Sequence, residues 1–442
     1  MLYVRFHKPV KGDSAMTINT IRLQTVLRLA PLVFFLCTFA ASCGGGGGHS
    51  HNTQGESAPT AVVQPLPLPG PNEVACSNIV QDFTRVGAGE NAKDYWEGVP
   101  SGSGTARYVT DLLADPGNTL ITTVNAPQDS TLYGDFAGQS LEFVVLVFYP
   151  TTADNPRPDY PLPTGDVLPH MQTGPEPPLF ADASAHYPVI AFSHGIGDSP
   201  IDSGDYISAL STLASYGYIV IAPFHGDFRF SDLDITNLSN AINVASNLDN
   251  FTALEALRPL SISAALTLVL DHPQWQGHID ATKIGGFGVS LGGETMMLLG
   301  GAGLTTSYFD LGESWKQVTF DPRIKAAVGY IPYFGQPILP AFGRDQHGLD
   351  GISLPFLGIS GTADNVAPIG ETETGMSRLT GTRRLVSLSG VAHGFDPAAA
   401  NDIFTWALTF LDAEVRDGPD AISRLSTMGS VSGGADDSLV LF

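Results

Sequence analysis

Residues 283–295 constrain the fold of this chain more than any other stretch. They begin as a buried strand and end as the first turn of a helix, with Ser290 at the corner. Gly288-Val289-Ser290-Leu291-Gly292 places a glycine two positions to either side of that serine. So sharp a turn pushes its side chain out over the strand ends, where the hydroxyl can reach a substrate carbonyl. Flanking residues have to be tiny, because the helix packs back closely on the strand. The helix start also aims free backbone N–H groups at the point where negative charge would develop.

A strand feeding a helix implies an alternating architecture, and the chain supplies one. Residues 119–124 and 141–149 are rich in Val, Leu, Ile and Thr and predict strands. A Pro-dense excursion, 156–178, predicts a surface loop. Residues 188–193 form a short apolar run ending in Ser193-His194-Gly195, and a helical pattern (Tyr206, Leu210, Leu213, Ala214) follows. A second apolar run covers 218–223. Residues 260–270 predict a helix with Pro259 in its first turn. Further strands are expected at 283–289, 324–331, 355–360 and 384–388, and an amphipathic helix at 401–415. Continuous apolar strands separated by helices mean a doubly wound, mostly parallel sheet covered on both faces. The early strands make a β-rich N-terminal extension, and the inserts 298–322 and 334–354 are candidates for a lid. No internal repeat is visible. The polar Gly-Gly-Ala-Asp-Asp stretch predicts a mobile tail over 423–442.

The 442 residues suit two or three domains, or one large α/β domain with insertions. Hydrophobic residues at 43% suffice for a sizeable core. A formal charge of −23 argues against nucleic acid, which it would repel. It makes a solubilising surface, with the guidance of cationic substrates as the sharper alternative. Residues 1–43 read as an export signal. An apolar run at 29–41 follows Arg22 and Arg28 and is too short to span a bilayer comfortably. Ala40-Ala41-Ser42-Cys43 resembles a bacterial lipobox, with Ala40 where Leu is usual. Cys43 would then carry lipid and tie the protein to a membrane, and ordinary cleavage with secretion is the alternative. Met16 would start a leader of normal length. Residues 44–73 form a Gly/Pro-rich linker in which His49 and His51 are expected to be solvated. The body is expected over 74–422, its core over about 140–415. Of the three cysteines, Cys37 and Cys43 belong to the leader, so Cys76 has no partner in the body.

Acyl transfer by a serine needs a base to take its proton and an acid to orient that base. In a doubly wound sheet, functional loops gather at the carboxyl ends of the strands. The strand at 355–360 leads into Gly361-Thr362-Ala363-Asp364, and that at 384–388 into a loop holding His393. The order Ser290, Asp364, His393 suits a corner of this kind. Each residue has a plainer reading as well, Asp364 as a turn or cap residue and His393 as a loop histidine. Asp321 and Asp396 compete as the acid, but Asp321 precedes its strand and Asp396 is too close in sequence to His393. Two N–H groups would hold the tetrahedral oxyanion: that of Leu291, next after the serine, and that of Ile196, after Gly195.

The segment from Tyr187 to Gly197 resembles the oxyanion segment of α/β-hydrolases related to dienelactone hydrolases. It is especially similar to bacterial relatives of platelet-activating-factor acetylhydrolase. The likeness continues through 213–220, 223–227 and 321–328 and through the loops of Asp364 and His393. It covers about residues 140–415 and implies a serine hydrolase of carboxylic esters, needing neither metal nor cofactor. Two positions depart from related patterns. Val289 stands where many lipases and polyester hydrolases have His, and Ser290 stands where dienelactone hydrolases use Cys. Cutinase-like polyesterases and lipases share much of the layout, and a serine peptidase is the more distant alternative. Tyr333, Phe334, Ile338, Leu339 and Phe342 would suit an acyl groove, or equally would pack a lid onto the body.

Overall fold

A computed structural model of the protein describes residues 59–79, 107–231, 233, 241–308, 314–336 and 339–442. The leader 1–43 with Cys37 and Cys43, the linker as far as residue 58 with His49 and His51, and Ile338 lie outside the described residues.

The central sheet has ten strands. In chain order they are β1 (Glu73–Cys76), β2 (Ile121–Asn125), β3 (Ser140–Thr151), β4 (Tyr187–Ser193), β5 (Ile219–Pro223), β6 (Ile279–Val289), β7 (Ile324–Tyr330), β8 (Phe356–Gly361), β9 (Arg383–Leu388) and β10 (Asp437–Val440). Their spatial order is β10-β9-β8-β7-β6-β4-β5-β3-β1, with β2 also paired to β3. The six strands from β9 to β5 run parallel, whereas β3 is antiparallel to β5, and β1 and β2 are antiparallel to β3. The chain is therefore an α/β protein with a largely parallel sheet, as the alternation of apolar runs predicts.

Successive strand residues face opposite sides, and both sides are apolar. Val144, Leu146, Phe148, Ile190 and Phe192 join one core with helices α1 (Gly204–Ser215) and α2 (Ala400–Glu414). Val145, Val147, Val189 and Ala191 join the other. That face is covered by α3 (Ala241–Asp271), α4 (Leu291–Leu299) and α5 (Ile369–Ser377). Because β4, β6, β7, β8 and β9 are parallel, residues 194–197, 290–291, 331–333, 362–367 and 389–396 emerge at one end of the sheet.

Four expectations are corrected. Pro259 is interior to α3, not in its first turn. The run 251–257 already has helical spacing, and Phe251, Leu254 and Leu257 are buried, which offsets the hydrogen bond that an interior proline removes. In the segment Asn250–Asp271, long and apolar enough to cross a membrane, 67% of the most apolar window is buried, so it is a core helix here.

The tail is not free. Asp437–Val440 adds an antiparallel strand beside β9, and Met428–Val431 pairs in parallel with Ala61–Val63. The Gly433-Gly434 pair is a turn with positive φ (78° and 77°), and Asp437 receives the Trp406 indole N–H at 2.6 Å. The end of the Pro-rich linker docks too, through Leu66 and Leu68 on the core and the Leu66 N–H donated to Thr405 Oγ1.

Nor do the described parts of the two inserts form a lid. The Gly303–Thr305 and Trp315–Gln317 hairpin binds the second insert through Thr305 N–H to the Ala341 carbonyl and Gly343 N–H to Thr305 Oγ1. Leu304, Phe342 and Leu349 are buried between them.

Candidate active site

Ser290 links the end of β6 to the start of α4 with φ 53° and ψ −118°, outside the helical and extended regions. Its backbone is held from three sides. Its N–H donates to the Tyr330 carbonyl (3.0 Å), and its carbonyl accepts from Gly293 N–H (2.8 Å) and Tyr333 N–H (2.9 Å). The flanking glycines are required by contact. A Cβ on Gly288 would strike the Gly292 backbone, and one on Gly292 would strike the Ser193 carbonyl oxygen. Helix, strand and neighbouring strand therefore meet at van der Waals distance, which leaves the Ser290 side chain no direction but outward.

Ser290 Oγ lies 2.9 Å from His393 Nε2, and His393 Nδ1 lies 2.8 Å from Asp364 Oδ2. The Asp364 side chain is fully buried, and its second oxygen accepts the N–H groups of Val366 and Ala367, both at 2.8 Å. A carboxylate so anchored makes the His393 Nδ1 the donor, so Nε2 is bare and can accept the serine proton. The two loops are tied to each other, Ala363 N–H donating to the Val391 carbonyl and Gly390 N–H to Thr362 Oγ1. Tyr330 Oη donates to the Gly394 carbonyl at 2.6 Å, fixing the histidine loop to the sheet. The competing acids are engaged elsewhere: Asp321 pairs with Arg323 and Ser263, and Asp396 caps the turn Pro397–Ala399.

Leu291 N–H heads α4 and has no acceptor within the helix. Ile196 follows Gly195, whose carbonyl accepts from Arg258 Nη2 and, at 2.7 Å, from His194 Nδ1. In a planar trans peptide the N–H points opposite the carbonyl, so Ile196 N–H turns away from Arg258. Ile196 and Ser290 line the same cavity of about 260 Å³, together with Tyr206, Ile331, Val366, His393 and Phe395. A larger groove of about 600 Å³, between β2 and α3, holds neither a histidine nor a carboxylate.

Tyr333, Phe334, Leu339 and Phe342, for which the sequence allows either an acyl groove or packing onto the body, do not line this cavity. All four belong to the core on the α4 side of the sheet and are almost wholly buried. Pro332 lies against Gly293 of α4 and Tyr333 N–H is held by the Ser290 carbonyl, and the four side chains pack inward.

Beneath the 193–197 loop lies a network that spacing alone does not reveal. Arg258 is buried and forms a two-pronged pair with Asp227, Nε to Oδ1 at 3.0 Å and Nη2 to Oδ2 at 2.8 Å. Its remaining N–H groups reach the carbonyls of His194 and Gly195 and the Ser193 hydroxyl. Asp227 Oδ2 also accepts Gly197 N–H. His225 sits between Ser193 Oγ and Ser261 Oγ, both at 2.9 Å. Burial first, then the Arg258 charge, holds the pKa of both His194 and His225 well below the usual histidine value. They are therefore neutral hydrogen-bonding groups. The one available sequence signal is an arginine inside an otherwise apolar helical run, which has to find a partner when that run is buried.

Glu294, one turn after Ser290, is buried beside Glu255, which accepts the Tyr308 hydroxyl at 3.0 Å. Burial, then the Glu255 charge, pushes the Glu294 pKa well up, and burial also raises that of Glu255. The folded state thus keeps protons that the unfolded chain has already released above the ordinary carboxylate range. Stability is fully present below that range and is lost as pH rises through the raised folded values. Glu294→Gln, neutral and of similar volume, is expected to flatten this alkaline decline in melting temperature and to melt higher above neutral pH. An unchanged slope would remove Glu294 as its source.

No protein-family model matches this chain, and no curated protein matches its sequence. What Ser290, His393 and Asp364 can do must therefore be argued from where they sit.

Proposed function

We propose that the protein is a serine hydrolase of the α/β-hydrolase type that cleaves carboxylic esters through an acyl-enzyme. The relay Asp364–His393–Ser290, with links of 2.8 and 2.9 Å at the carboxyl ends of parallel strands, carries this reading. Ser290 Oγ attacks the ester carbonyl as His393 Nε2 takes its proton. Asp364 holds the imidazole in the required tautomer and stabilises the imidazolium. The oxygen that becomes negative is held by the N–H groups of Ile196 and Leu291. His393 then gives its proton to the departing alcohol. In the second half it activates a water that releases the acid and frees Ser290. A cavity of about 260 Å³ suits a short acyl chain.

A fluorophosphonate probe is expected to label Ser290, as located by mass spectrometry of the tryptic peptide. A series of p-nitrophenyl esters is expected to be hydrolysed with kcat/KM falling as the acyl chain lengthens, and the matching anilides are expected to be inert. Absence of both labelling and ester turnover would end the proposal, and rapid anilide cleavage would turn it towards a peptidase.

A further inference from the structure

We propose that the hydroxyl of Tyr206 is a third donor to the oxyanion, beside the two backbone N–H groups; this rests on the serine esterase reading above. Tyr206 stands in the first turn of α1 and lines the cavity that holds Ser290 and His393. Its Oη accepts the N–H of Gly195, the residue before Ile196, at 3.0 Å. The point that a Cβ on Gly195 would occupy is 2.6 Å from Tyr206 Oη and 3.5 Å from Ser290 Cβ. Phenol oxygen, glycine and nucleophile thus crowd around a single small space.

A phenol offers one proton and accepts through its lone pairs. The bond from Gly195 uses a lone pair, and among the described residues no acceptor takes the proton. Aromatic rings wall the phenol on other sides, with Phe395 edge-on at 6.0 Å, His194 at 6.2 Å and Phe192 at 6.3 Å. The cavity is open space that the proton can enter. Burial pushes the Tyr206 pKa up to about 12, so the group remains a donor throughout the working range of a histidine base.

When Ser290 Oγ bonds to the carbonyl carbon, the C=O π pair moves onto oxygen. The Tyr206 O–H then becomes a charge-assisted donor, whose bond shortens and strengthens as charge develops. It favours the transition state over the bound ester, so its loss acts on kcat more than on KM.

Tyr206→Phe keeps the ring and removes the hydroxyl. The expected result is a fall in kcat on the order of 10²–10³-fold with little change in KM, and a matching loss of affinity for a trifluoromethyl ketone inhibitor. The melting temperature of the variant serves as the check on folding. Incorporating 3,5-difluorotyrosine at position 206 then separates donation from mere support of Gly195. Fluorination makes the phenol a better donor and a poorer acceptor, so a donor role raises kcat near pH 7 and a supporting role lowers it. A kcat for Tyr206→Phe within about twofold of the parent, or slower turnover by the fluorinated protein, would overturn the proposal. Failure of the esterase reading looks different, because the unmodified protein would then turn over no ester at all.

Discussion

Ser290→Ala is expected to lower kcat for ester hydrolysis by a factor on the order of 10⁴–10⁶ while leaving the protein folded. In the proposed reaction Ser290 is the one part of the relay that bonds to substrate. Once it is gone, His393 can at best activate a water held in a site shaped for an acyl-enzyme. Residual rate comes from the Ile196 and Leu291 N–H groups and from substrate binding, which together leave about 10³–10⁴ over the uncatalysed reaction. Folding is spared because the three bonds that fix the corner are all made by the Ser290 backbone. Alanine has a Cβ like serine, so the cost of φ 53° is nearly the same in both. A steady-state assay with a p-nitrophenyl ester and a melting curve test this together. Most of the activity surviving in a folded variant would mean that another group is the nucleophile.

Arg258→Met is expected to destabilise the fold by about 3–5 kcal/mol, read from a urea titration. The pair it breaks is nearly solvent-free, with both side chains 1% exposed. Methionine fills much of the volume but leaves the Asp227 carboxylate buried without its cation. It also strips a donor from the carbonyls of both His194 and Gly195. A buried charge without a partner is costlier than an absent pair. The double variant Arg258→Met with Asp227→Leu should therefore be more stable than the single one, despite the further substitution. A double variant as unstable as the sum of the single changes would show that the charge pair is not the source of the loss. The loss should also reach activity, because the Gly195 carbonyl that Arg258 holds sets the direction of the Ile196 N–H.

Much of the candidate site was legible because it is built from strand ends. Ser290, Asp364 and His393 each follow an apolar run, and parallel pairing brings the ends of such runs to one edge. The positions of Ile196 and Leu291, after a strand end and at a corner, were legible for a similar reason, while their oxyanion role belongs to the proposed mechanism. Tyr333, Phe334, Leu339 and Phe342 were left between groove and packing because an aromatic cluster after a strand looks the same whether it faces a substrate or a core, and the structure places them in the core. The tail was misread because glycines and aspartates mark a tight turn as readily as a free end.

Taken alone, the amino-acid order determined the alternation of strands and helices, the corner at Ser290 and the sequence in which the three polar side chains arrive. These depend on local spacing, which a chain carries with it whether folded or not. The tertiary structure alone decided that Arg258 grips the 193–197 loop from below and that Tyr206 lines the cavity of Ser290. Such meetings join residues many tens of positions apart. They are set by which faces of the sheet and its helices come to lie against each other once water is excluded.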